Sequence, residues 1–230
     1  MRTGRIQYAP TTQSKKNKIK KMKTLSKTIT IGLIISLFPF YGMSETVVEA
    51  LETTVASRTS ATYDEGVVIN GIRWATRNVD APGTFAPYPE SLGMLFQWNR
   101  RKAWNATDTY VDNWEYDFSA ETVNNLCPEG WRVPTHEELQ LLMRSGSGWA
   151  TLDGVNGSVF GRAPYQIFLP AVGWRDSYDG ELNLAGREGS YWSSTQNCDE
   201  NAQHLWFARG SVGTGWANRA HGFSVRCVAE

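Results

Sequence analysis

The sequence predicts an irregular α+β domain of short antiparallel strands, one or two helices and long loops. Three observations lead there. Ten tryptophans and 21 glycines in 230 residues combine large core-forming rings with frequent points of sharp backbone turning. The apolar runs are short and separated by turn signals. Only one segment carries a clear helix start with a helix-period apolar stripe, which argues against a helical bundle.

The chain opens with a targeting pattern. Residues 1–44 hold nine Lys/Arg and no Asp or Glu. The apolar run Ile29 to Tyr41 follows, and Gly42-Met43-Ser44 place small residues just before Glu45. A basic region, a short apolar core and a small-x-small site together predict a secretory signal peptide over 1–44. Met22-Lys23 would make an ordinary start for it, so residues 1–21 read as an upstream-start extension. The run falls short of the ~20 apolar residues of a spanning helix, so no membrane insertion is expected to outlast cleavage. No cysteine lies near the cut for a lipid anchor. The expected location is the periplasm, the cell surface or the medium. Residues 45–65 lack a sustained pattern and predict a flexible lead-in. Residues 66–230 are of a size for a single core.

Within that domain, Val67 to Trp74 reads as a hairpin, because apolar runs flank Asn70-Gly71, a preferred type I′ pair. Ser119 to Leu126 predicts a short helix. The clearest helix starts at Thr135: Thr135 and Glu138 fit a capping box, and Leu139, Leu142 and Met143 make one stripe ended by Gly146 and Gly148. Ile167–Leu169, Gly189–Ser193, His204–Phe207 and Phe223–Val228 are the expected strands. In the last, Phe223, Val225 and Cys227 share one face. No internal repeat is present.

Removing residues 1–44 leaves 14 Lys+Arg against 23 Asp+Glu, a balance of −9 with Lys102 the one lysine. Nucleic acid, whose affinity comes largely from phosphate neutralisation, is thereby excluded as a partner. Of three cysteines in an oxidising compartment one must be left over. Cys127, in a turn before the helix, and Cys227, inward-facing on the final strand, are the expected pair. Closing that long loop stabilises by about 4–5 kcal/mol in the chain-entropy model. Cys198 is then the free thiol. The spacing offers no cluster for zinc, and no metal or cofactor is expected.

Seven segments in order carry a resemblance. They are Gly71-Ile72-Arg73-Trp74-Ala75-Thr76-Arg77-Asn78-Val79, Gly93-Met94-Leu95-Phe96-Gln97-Trp98-Asn99, Cys127-Pro128-Glu129-Gly130-Trp131-Arg132-Val133-Pro134-Thr135, Glu138-Leu139, Phe168-Leu169-Pro170-Ala171-Val172-Gly173, Gly189-Ser190-Tyr191-Trp192-Ser193-Ser194-Thr195 and Ser224-Val225-Arg226-Cys227-Val228. Over residues 66–230 the chain resembles the Fibrobacter succinogenes major paralogous domain family, common in exported proteins of gut Bacteroidetes. The resemblance implies a C-type-lectin-like fold, shared with formylglycine-generating enzymes and retroelement-diversified variable proteins. Fold alone does not settle function.

Between the motif Tyr191-Trp192-Ser193-Ser194-Thr195 and the final strand lies a segment without sustained periodicity, about 196–221. It reads as a displayed loop on a rigid scaffold, and hence as a ligand-binding surface. The candidate contacts are Asn197, Asp199, Asn201, His204, Arg209, Ser211, Thr214, Trp216, Asn218, Arg219 and His221. Trp74, Trp98, Trp131, Trp174 and Trp192 belong to the shared motifs and are expected in the core. Trp216 is a candidate anchor, and Trp206 is either an anchor or a buried strand residue. Many positions of the segment, Cys198 among them, carry residues reachable from Asn codons by adenine changes. The loop is therefore either an ordinary divergent one or one diversified by a retroelement. The ligand class is a protein or a glycan.

Two other readings stay open: a subunit of a surface or fimbria-like assembly, and an oxidase resembling the formylglycine-generating enzymes through Cys198. The second lacks a partner cysteine, so no enzyme is expected. Asp176, Asp179 and Glu181 gather around a turn, but the spacing of a calcium loop is missing. Oligomeric state is left open.

Overall fold

The computed structural model describes residues 60–116 and 126–230. The expected signal peptide 1–44, most of the lead-in 45–65, and the expected helix Ser119–Leu126 apart from Leu126 lie outside the described residues. Strand takes up 46% of the described residues and helix 7%, which corrects the α+β expectation to a β-rich architecture. Among the described residues, fourteen strands form several small antiparallel sheets and one complete helix accompanies them.

A four-stranded sheet forms the framework. β1 (Val67–Ile69) and β2 (Ile72–Asn78) make the expected hairpin, with Asn70 and Gly71 both at positive φ, 51° and 82°, as a type I′ turn requires. The final strand, β14 (Arg226–Ala229), inserts between β2 and β5 (Trp131–Arg132). Cys127 and Cys227 are joined as expected, with Cα atoms 6.0 Å apart. Arg226 is buried on the other side of β14 from Cys227. Its Nη2 donates to Asn78 Oδ1 at 2.6 Å and to Phe168 O at 3.1 Å, and its Nη1 to Ala75 O at 3.2 Å. Both faces of this strand are therefore interior.

Two short pairs, β3 (Leu95–Phe96) with β4 (Ala103–Trp104) and β9 (Trp174–Arg175) with β10 (Leu182–Asn183), flank the framework strands in sequence. The helix α1 (His136–Arg144) has Thr135 as N-cap with the complete capping box. Arg132 clamps Glu138 in a bidentate pair at 2.8 and 2.7 Å, which holds the carboxyl well below its usual range. Leu139 and Leu142 face the core, as the stripe predicts.

The remaining strands form two three-stranded sheets. One contains β6 (Ser147–Leu152), β7 (Val155–Arg162) and β8 (Tyr165–Pro170). The other contains β11 (Glu188–Gln196), β12 (Asn201–Ala208) and β13 (Ser211–Asn218). Gly148, expected to help end the helix, already lies in β6. Asp153-Gly154, both at positive φ, turns β6 into β7. Two large apolar clusters fill the interior. One gathers Trp98, Trp131, Trp192, Phe223 and the disulfide, the other Trp74, Leu139, Leu142, Phe160, Leu205 and Phe207. Trp174 is only half-buried, which corrects its placement among the core rings.

Candidate binding surface

The segment expected to be an aperiodic loop is a β-hairpin. β12 and β13 pair without interruption from Asn201↔Asn218 to Ala208↔Ser211 around the two-residue turn Arg209-Gly210. Its periodicity is hidden because β12 is covered on both sides. Leu205 and Phe207 enter the second apolar cluster, whereas Ala202, on the other face, enters the first. A strand buried on two faces shows no apolar–polar alternation.

This register sorts the eleven candidates. Asn201, Thr214, Trp216 and Asn218 lie on one face of the hairpin. Asn197 joins them through Gln203, whose Nε2 donates to Asn197 Oδ1 at 3.0 Å and which stands directly opposite Trp216. Trp216 is 64% exposed. Asp199 sits in the exposed connection between β11 and β12, and Arg209 and Ser211 stand at the turn end. Roughly 17 Å of strand separates Ser211 from Trp216. Arg209 and Ser211 do not converge with the Trp216 group.

Three candidates lie buried or half-buried. His204 faces inward between Trp192 and Phe223, with ring centroids 6.1 and 5.0 Å away. Burial pushes its imidazole down to about 4, and its Nδ1 has no hydrogen-bond partner. Arg219 lies over the Trp98 ring at 4.4 Å and donates from Nη1 to Asp199 O at 2.8 Å, so it braces the β11–β12 connection from below. His221 is half-buried between Trp174 and Phe223, and desolvation lowers its pKa. Trp206 resolves as a half-buried strand residue whose indole covers Gly213. A Cβ at Gly213 would come within 2.8 Å of that ring.

Sequence reasoning missed Gln203, Tyr116 and Tyr178. Tyr116 and Tyr178 stack with centroids 4.9 Å apart and planes 7° from parallel, and Asn218 Nδ2 donates to Tyr116 Oη at 3.2 Å. Asp176 and Glu200 lie close enough to raise the Tyr178 pKa further, after Tyr116. Reading the hairpin with period two would have found Gln203; no sequence signal brings Tyr116 to Asn218 across 102 residues.

The side chains this region presents are mainly rings and amides. Cys198 is exposed, and its Sγ accepts from Asn201 Nδ2 at 3.2 Å, a bond that lowers the thiol pKa. The other two cysteines form the disulfide. Asp176 and Asp179 accept backbone N–H bonds from Tyr178 and Glu181, which makes them turn-forming side chains. Among the described residues no three His, Cys, Asp or Glu converge as metal ligands. An apolar cavity of about 110 Å³ is lined by Trp98, Leu126, Val133, Trp192 and Val225, and by none of the eleven candidates.

Among the described residues no helix is long and apolar enough to cross a membrane. No curated protein and no solved structure matches the chain. Residues 160–228, which span both faces of the hairpin, are similar to a family described as a domain of unknown function, DUF8237.

Proposed function

We propose that the chain is an exported recognition module whose β12–β13 hairpin presents a ligand-binding face on a disulfide-braced framework. The observation that carries this reading is Trp216. It is a large apolar ring, 64% exposed, set on a strand whose neighbouring positions are fixed by the core. Exposed aromatic rings of this kind anchor interfaces. Gln203, Asn197, Asn201 and Asn218 surround it with short amides, the mixture of rigid anchor and adaptable hydrogen bonding that paratopes use. Such a face suits a protein or a glycan. Export is supported by the leader pattern and by the disulfide, which persists in oxidising compartments. The ordered motifs that resemble the Fibrobacter succinogenes major paralogous domain family support the same reading.

Trp216→Ala tests it. On a glycan array the exported protein should retain a set of glycans that the variant loses, while the melting temperature stays within about 1 °C, as for a surface substitution. Equal loss of binding and stability would make Trp216 a core residue. No retained glycan would leave a protein as the ligand class. If a retroelement diversifies the segment, sequencing the locus across isolates should find changes at Asn201, Thr214 and Asn218 but none at Ala202, Leu205 or Phe207. Uniform codons throughout 196–221 would remove diversification. A second reading, a subunit of a surface assembly, is favoured by the unpaired outer edge of β13.

A further inference from the structure

Among the described residues, strand β13 is the outer strand of its sheet and pairs only with β12. In a hairpin with a two-residue turn the flanking residues exchange both backbone bonds, and the pattern alternates from there. Ser211, Gly213, Gly215 and Ala217 therefore bond inward to β12. Val212, Thr214 and Trp216 aim their N–H and C=O groups away from the sheet, and none of the described residues takes them up. Sheet edges are ordinarily blunted by lysine, proline, a bulge or a covering element. The eight residues Ser211–Asn218 contain no charge and no proline, and their register is unbroken.

We propose that this edge pairs, antiparallel, with the same edge of a second copy of the chain about a two-fold axis at Thr214. The strand is self-complementary in that register. Thr214 meets Thr214 of the second copy, and Val212 meets its Trp216 on either side, so all the outward backbone groups of these residues find partners. Thr–Thr and aromatic–β-branched pairs are favoured cross-strand neighbours. Charge fits as well. The mature chain is acidic, yet nothing charged faces its counterpart within the strand. Beyond the strand ends, the exposed Arg209 reaches the place where Glu200 O accepts the Arg219 N–H, beside Asp199. Arg219 itself is turned inward over Trp98. Two three-stranded sheets thus become one of six, an isologous and closed arrangement. In the other three-stranded sheet the outer strand β6 is also uncharged, but its Trp149 packs against the chain's own core.

Sedimentation velocity on the exported protein, with Thr214→Lys and Thr214→Glu, tests this. The wild type should shift from monomer to dimer as concentration rises. Each variant sets like charges against each other on the axis and should dimerise about ten-fold more weakly or less. An equimolar mixture of the two should recover the dimer, which misfolded chains could not do. A wild type that stays monomeric, a Lys variant that dimerises like wild type, or a mixture that stays monomeric overturns the proposal. Should either variant fail to fold, amide exchange on the wild type decides. Val212, Thr214 and Trp216 must gain protection with concentration, and unchanged exchange overturns the pairing. The pairing does not rest on ligand recognition, because glycan retention is read below the dimerising concentration.

Discussion

The two three-stranded sheets end in outer strands of similar make-up and different use. β6 and β13 each carry one tryptophan and no charged side chain, and each follows or precedes a tight turn with glycine at positive φ. Trp149 of β6 is half-buried against the cluster that holds Leu139, Leu142 and Phe160. Trp216 of β13 is exposed. The register explains the contrast. Phe207 and Leu205 of β12 already reach the same cluster, and Val212 completes the contribution of β13. Trp216 stands opposite Gln203, one pair beyond the last apolar contact. Composition therefore does not decide what an edge tryptophan does; its distance along the ladder from the core does.

That contrast can be strained in three ways. The largest expected effect is on acid stability, because only the β11–β12–β13 sheet contains a buried histidine. The unfolded chain takes up the His204 proton near 6.5, the folded chain only near 4. The stabilisation is fully present above about pH 6.5 and is lost as pH falls toward 4, on the order of 3 kcal/mol in total. Glu138, with a lowered pKa, adds its loss only at lower pH. Amide exchange should therefore show β12 losing protection between pH 6.5 and 4.5 while β7 keeps it. His204→Gln should flatten that dependence, and equal losses in both sheets would break the contrast. Next in size is Trp149→Ala, which should cost about 2 kcal/mol in chemical denaturation, as fits a half-buried ring. Trp216→Ala should cost less than about 0.5 kcal/mol. If the two tryptophans cost the same, the division between a core-serving edge and a free edge fails.

What could be read from the sequence was local. Asn70-Gly71 and the Thr135/Glu138 capping box act through their own neighbours, so the first hairpin and the helix were legible in full. Cys127 in its turn before the helix and Cys227 on the final strand were enough to place the disulfide, and the alternation of Phe223, Val225 and Cys227 agreed with it. The β-rich character was not legible, because β6, β7 and β13 are built largely from Gly, Ser, Thr, Ala and Asn, residues that also make loops. β12 lost its signal for the opposite reason: it is buried on both faces. Polarity misled at His204 and Arg219. An imidazole between rings, or a guanidinium over an indole, looks in sequence like a surface group, and only the contacts with Trp192, Phe223 and Trp98 reveal it.

The position of β14 carries a consequence for how the chain comes into being. Its Arg226 bonds to Asn78, 148 residues earlier, and the strand sits between β2 and β5. A polypeptide that emerges N-terminus first offers β2 long before its neighbour exists. Until residue 226 has left the channel, one side of β2 has no partner, and the Cys127 thiol has no mate. Closure of the central sheet is thus timed by the passage of the chain itself, and the interval before it is when β2 is most open to the wrong strand.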